Sequence, residues 1–297
     1  MTRREVFRTL AVLVPGICLQ SSGRSELVEK PTERPAIQFG AQTNAWAIDP
    51  KRFDTLLAVL TQIRQIGYSG FETGFGNLMN QFRSPRTTRR QIENTGLTFF
   101  GVHVYLPRWL YDPSTNIPPP ALYEKIVPGS LALGAQHVIF SAAPVADTGE
   151  PERKIAGLNA AGKYCKQIGL TLAYHNETAQ ESQPELGELE ALCRQTDPKY
   201  VSFLLDCGHA YQGGTDVPAF LQKHHARIIG LHLRDYKNAV QVPLGQGDFP
   251  LERTAAVLKY LHWKGWVLNE EERLDGSKHG SEYMRPAFRA MEGAFSA

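Results

Sequence analysis

The sequence predicts a single α/β domain, a closed (β/α)8 barrel of eight parallel strands. Three observations carry that prediction. Short apolar or β-rich runs alternate with longer helical stretches from residue 37 onward, and eight such runs can be counted. The runs are nearly continuous in apolar character, as strands covered on both faces by helices must be. The first run is not followed by the Gly-x-Gly-x-x-Gly turn that an open dinucleotide-binding sheet would require.

In chain order, the expected strands are 37–43, 70–74, 98–105, 137–142, 170–174, 201–206, 228–233 and 266–269. The stretches between them repeat with a helical period. In 53–66 the apolar positions Phe53, Leu56, Leu57, Leu60 and Ile63 fall on one face. The stretches 155–168, 186–194 and 251–261 are amphipathic in the same way. Gly67, Gly96, Gly134 and Gly169 close helices before the next strand, and the proline-rich 116–120 segment is a connection.

A chain of 297 residues, 42% hydrophobic and 21% charged, is long enough to fill one barrel core. Its formal charge is +2, and residues 1–25 hold Arg3, Arg4, Arg8 and Arg24 against Glu5, so the remainder stands near −1. A body so close to neutral lacks the basic footprint that nucleic acid requires.

The beginning of the chain reads as an export label. Arg3 and Arg4 precede an apolar run from Leu10 to Leu19, and the small polar residues 20–23 follow. The paired arginines resemble a twin-arginine signal, which carries folded and often cofactor-loaded proteins. The apolar run is too short to span a bilayer. The expectation is a leader and linker over 1–35, a barrel over 36–297, a periplasmic location and no stable membrane insertion after processing. Cys18 would leave with the leader. Cys165, Cys193 and Cys207 are widely spaced and odd in number, which suits buried thiols better than disulfides or a Cys-rich zinc site.

In a barrel of this kind, chemistry sits where the C-terminal strand ends converge. The acid, base and ligand residue types fall there: Glu72 on strand two, His103 on strand three, His175-Asn176-Glu177 on strand five, Asp206 and His209 on strand six, His232, Arg234 and Asp235 on strand seven, and Glu270-Glu271-Glu272 on strand eight. Any one of these alone reads as a cap or a satisfied core group. Six in one mouth would repel or go unsatisfied unless something pairs them. A divalent cation does so, and a mixed His and carboxylate set suits zinc, manganese, cobalt or a similar ion.

The order His175-Asn176, Leu-Asp206-x-Gly-His209, His232-x-x-Asp235, Gly-Gln-Gly-Asp at 245–248 and Gly265-Trp-x-x-x-Glu270 resembles the xylose-isomerase-like sugar phosphate isomerase/epimerase family of TIM barrels. The likeness spans roughly residues 36–295 and is specific in the combination of its motifs. It implies one divalent metal ion (Mn, Zn, Co or Mg) held by a residue from each of strands five to eight: His175 or Glu177, then Asp206, His232 and Glu270. Strand five departs from the commoner patterns, which place a glutamate at the position of His175 or a second histidine at that of Glu177. By the same resemblance Glu270 is a catalytic base, with Glu177 facing it if His175 holds the metal. His209, Arg234 and Glu181 resemble substrate-holding positions, and Glu72 and His103 carry either a substrate-contact or a structural reading.

The implied chemistry is isomerisation or epimerisation of a small sugar or sugar-derived ketone through an enediolate. A cation stabilises the oxyanion, and a carboxylate removes and returns the proton. The same intermediate can expel a β-hydroxyl, so a dehydratase or lyase acting on an inosose or 3-keto-sugar is the alternative. A non-catalytic carbohydrate-binding barrel is a second alternative. A DNA-repair endonuclease sharing the barrel would need a three-metal cluster and a basic groove, which the charge opposes. The partner implied is a small carbohydrate, and homo-oligomerisation is compatible with this reading.

Overall fold

The computed structural model describes residues 36–142, 144–145, 151–272 and 276–296. The leader expected over 1–35 lies outside them, as does Cys18. Eight parallel strands close into one barrel: Ile37–Gln42, Gly70–Gly74, Thr98–Val104, His137–Ser141, Thr171–His175, Val201–Asp206, Ile228–Leu233 and Gly265–Asn269. Closure comes from the pairing of the first strand with the eighth, in the register Ile37↔Gly265 through Ala41↔Asn269. Each expected strand appears within a residue of its observed bounds.

Helices cover the outside. Phe53–Ile66 buries Leu56, Val59, Leu60 and Ile63 against the barrel and ends at Gly67. The φ of 124° at Gly67 is open to glycine and strained for any other residue. Pro151–Ile168, Glu188–Gln195 and Leu251–Tyr260 occupy the other amphipathic stretches. Cys165, Cys193 and Cys207 are free and buried, as their spacing implies. Among the described residues no helix is long and apolar enough to cross a membrane.

The barrel interior has its own small core, Phe100, Ile139, Ala173, Leu204, Trp266 and Leu268, separate from the larger core between strands and helices. Gly230 leaves room for this plug: an added Cβ would stand 2.8 Å from Leu204 Cδ1 and 3.2 Å from Phe100 Cζ. This apolar plug sets the floor of the site. Side chains alternate along a strand. The residue two places beyond a plug residue therefore points into the barrel mouth. Ile139 leads to Ser141, Ala173 to His175, Leu204 to Asp206 and Leu268 to Glu270.

The sequence reading did not include a short antiparallel hairpin, Asp235–Lys237 with Val240–Val242, that rises from strand seven over the mouth. Its base is tied down by the Asp235 carboxylate. One oxygen accepts from the Tyr236 and Phe249 amides, and the other from Gly245 and Gly247 at 3.0 and 2.9 Å. This explains the Gly-Gln-Gly-Asp motif: a Cβ on Gly247 would stand 2.2 Å from Asp235 Oδ1.

Candidate active site

Four side chains from four consecutive strands converge at the mouth: His175, Asp206, His232 and Glu270, each buried, with one ligand-type atom apiece lying within 4.8 Å of the others. His175 Nε2 is 3.0 Å from His232 Nδ1 and 3.6 Å from Asp206 Oδ2, and His232 Nδ1 is 2.5 Å from Glu270 Oε2. Asp206 Oδ2 and Glu270 Oε2 are fully buried and accept no hydrogen bond of regular geometry. Two carboxylate oxygens and two imidazole nitrogens turned toward one point form a donor set that suits a divalent cation. The residues present therefore fit a metal ion.

The surrounding residues fix which atom of each group faces the cluster. Asp206 Oδ1 caps the following helix by accepting the His209 amide at 2.7 Å, which leaves Oδ2 turned inward. Glu72 is fully buried and accepts from His103 Nδ1 at 2.6 Å and from His232 Nε2 at 3.0 Å. Burial alone would raise the Glu72 carboxyl, but the charges and hydrogen bonds of His232 and His103 outweigh it and lower it to about 2. As an ionised carboxylate, Glu72 can only accept, so His232 carries its proton on Nε2 and turns Nδ1 to the cluster. A carboxylate behind a ligand-type histidine is the usual way a metal site fixes that tautomer. Glu72 and His103 therefore support the site from beneath.

His175 presents Nε2 to the cluster and Nδ1 to Ser141 Oγ, 3.2 Å away. Burial tends to lower this imidazole, and attraction to the Asp206 and Glu177 carboxylates overcomes that and raises it to about 9. Glu177 lies apart from the four-residue cluster. Its Oε2 accepts the Ser141 hydroxyl at 2.5 Å and sits 3.4 Å from His175 Nδ1, and its side chain is 23% exposed. Burial raises the Glu177 carboxyl, but the His175 hydrogen bond and charge, with His103 and Ser141, bring it below its ordinary value. Strand five ends at His175, so strand alternation does not carry Glu177 to the same place as His175.

Arg234 is almost completely buried. Its Nε lies 2.8 Å from Asp206 Oδ2 and its Nη2 2.5 Å from Glu270 Oε2. Burial works against its charge, but Asp206 and Glu270 more than compensate, so the guanidinium is held firmly protonated. It thus balances the two acidic groups from the mouth side. His209 stands 4.0 Å from Asp206 Oδ2, and burial lowers its imidazole. Asn44, from the turn after strand one, donates to Glu270 Oε1 at 2.9 Å.

Above the cluster opens a cavity of about 590 Å³, bordered among others by His103, Glu177, His209, Arg234 and Glu270. Its size is that of a small-molecule site. Glu181 does not border it. Glu181 Oε1 meets Lys154 Nζ at 2.7 Å and the Tyr174 hydroxyl, and Oε2 accepts the Glu177 amide at 2.8 Å. The structure thus places Glu181 behind the mouth, in contact with the backbone of Glu177.

Sequence reasoning missed Ser141, Asn44 and Lys154. Ser141 could have been found, because it follows the plug residue Ile139 by two. Lys154 could not, because a lysine on an amphipathic helix reads as solvent-facing until the fold buries it.

Residues 60–287 match the family described as xylose isomerase-like TIM barrel. Over 262 residues the chain is 27% identical to a protein of Halalkalibacterium halodurans named inosose dehydratase, a match covering 77% of this chain and 84% of that one. A sugar phosphate isomerase/epimerase structure from Parabacteroides distasonis superposes with a TM-score of 0.67 at 20% identity, over 84% of this chain and 96% of that one. A D-psicose 3-epimerase structure obtained in the presence of D-fructose gives 0.64 at 11% identity, over 88% and 100%. At those identities the structural likenesses establish the fold.

Proposed function

The chain belongs to the xylose isomerase-like TIM barrel family, and from that premise we propose that it is a divalent-metal-dependent enzyme that isomerises or epimerises a small sugar or sugar-derived ketone through an enediolate. The observation that carries this reading is the convergence of His175, Asp206, His232 and Glu270, a mixed imidazole and carboxylate donor set buried at the barrel mouth. These four groups would hold the metal. A cation there would act as a Lewis acid toward a substrate oxygen.

The chain's own residues supply the rest. Glu177 borders the cavity with one oxygen held by Ser141, and its other oxygen makes no hydrogen bond with the described residues. In this reading Glu177 takes a proton from a substrate carbon and holds it until it is returned. Glu270 faces the same cavity, and Asn44 orients its Oε1. Arg234 and His209 border the cavity as donors for substrate hydroxyl or carbonyl oxygens.

The likeness to a protein named inosose dehydratase supports a second reading, loss of water from the same intermediate. Measuring metal content and hydrogen–deuterium exchange beside the carbonyl of free ketoses, inososes and 3-keto-glycosides tests both. Exchange that disappears with a chelator and returns with added metal is expected. A new conjugated ultraviolet absorbance would mark the dehydratase. A protein with neither metal nor exchange would sink both readings and leave a binding barrel.

The paired arginines at positions 3 and 4 extend the proposal to export. The mature protein is expected to begin between about residues 20 and 36. N-terminal sequencing of exported protein that still starts at Met1 would overturn that part.

A further inference from the structure

We propose that Ser141, at the end of strand four, is a positioning residue that separates the two strand-five groups into different roles, keeping Glu177 at the cavity wall and away from the metal position while His175 faces it. The inference rests on the metal-centre reading above and concerns a residue that the family motifs in this chain do not include.

Its Oγ is fully buried and touches three functional side chains. It donates to Glu177 Oε2 at 2.5 Å, and it lies 2.6 Å from His103 Nε2 and 3.2 Å from His175 Nδ1. A hydroxyl has one proton to give. Glu177 Oε2 takes it, and His175 Nδ1 meets an oxygen lone pair. That contact requires a proton on Nδ1, which in the neutral ring leaves Nε2 bare and turned to Asp206, His232 and Glu270. One hydroxyl therefore sets the tautomer of His175 and the direction of Glu177 together.

Glu177 needs such a restraint. It lies two residues beyond His175 and past the end of the strand, so ladder geometry does not aim it. A carboxylate is a harder ligand than imidazole and competes well for most divalent ions. Its Oε2 is only 3.4 Å from the His175 ring. Two contacts keep it where it is: the short charge-assisted bond from Ser141, and the Glu181 carboxylate on its backbone amide at 2.8 Å. Ser141 is itself held by His103, which Glu72 holds in turn at 2.6 Å. The second Glu72 oxygen holds His232. Ser141 is thus the point where the support beneath the metal position joins the group at the cavity wall.

The test uses the full chain loaded with cobalt(II), whose visible spectrum reports coordination. Ser141→Ala is expected to bind cobalt with an altered spectrum, as Glu177 or water enters the coordination shell, and to lower kcat about 100-fold with little change in KM. Ser141→Thr keeps the hydroxyl and should restore both the spectrum and most of the turnover. Ser141→Val has the shape of Thr without the hydroxyl and should behave like Ala, so the Thr and Val pair carries the test where Ala fails to fold. In a Glu177→Gln background, Ser141→Ala should cause no further loss of kcat. A hydroxyl-free variant with wild-type spectrum and turnover overturns the assignment of Ser141. A wild-type chain that takes up no cobalt overturns the metal reading instead.

Discussion

The side-chain amide of Asn176 grips the backbone of Asp206 at both ends: its Oδ1 accepts the Asp206 amide at 2.8 Å, and its Nδ2 donates to the Asp206 carbonyl at 2.9 Å. The residue after the strand-five histidine therefore sets the height of the strand-six carboxylate. Asn176 is buried, so removing it orphans two polar backbone groups. Asn176→Ala is expected to cost about 1–3 kcal/mol of stability and to weaken divalent-metal uptake. Thermal unfolding and a cobalt titration check the two parts separately.

Lys154 is a second buried support. Its ammonium sits between Glu181 Oε1 at 2.7 Å and Glu188 Oε1 at 2.6 Å. Burial raises the Glu188 carboxyl, Lys154 opposes that, and Glu181 adds repulsion. Lys154→Met leaves two buried carboxylates together and should cost about 3–5 kcal/mol. Adding Glu181→Gln and Glu188→Gln should recover much of that stability in denaturant unfolding. Turnover should stay low, because Glu181 also holds the Glu177 amide.

Glu177→Gln keeps the side-chain shape and removes the proton acceptor. Because Glu177 lies outside the four-residue cluster, metal content should remain near one per chain while kcat falls about 100-fold or more. A fall in metal affinity, with activity partly restored by excess metal, would instead make Glu177 the strand-five ligand.

Metal uptake should release protons. Burial works against charge on both rings, but the carboxylates around them prevail and raise His175 to about 9 and His232 well above its ordinary value. A metal takes neutral imidazole. Apparent affinity should therefore climb as pH rises from neutrality toward 9. Calorimetry in buffers of different ionisation enthalpy measures the protons expelled, and a count of zero at pH 7 would contradict this assignment.

The sequence by itself determined the barrel and most of the residues at its mouth. Strand pattern has a period of two and helix pattern a period near 3.6, and both are local properties. Eight repeats of the pair leave a parallel, helix-covered sheet as the consistent arrangement. Ligand-type residues at strand ends were legible for the same reason: position along a strand is local, and closure brings the ends together. Only the tertiary structure decided which groups share an atom-scale point. Past His175 the chain leaves the ladder, and the direction of Glu177 is set by Ser141 from strand four and Glu181 from the next turn. Strand alternation could not show that Arg234 lies against Asp206 and Glu270, that Glu181 pairs with a buried lysine, or that Glu72 grips His232 from beneath. These are contacts between residues far apart in sequence, fixed by barrel register and side-chain length.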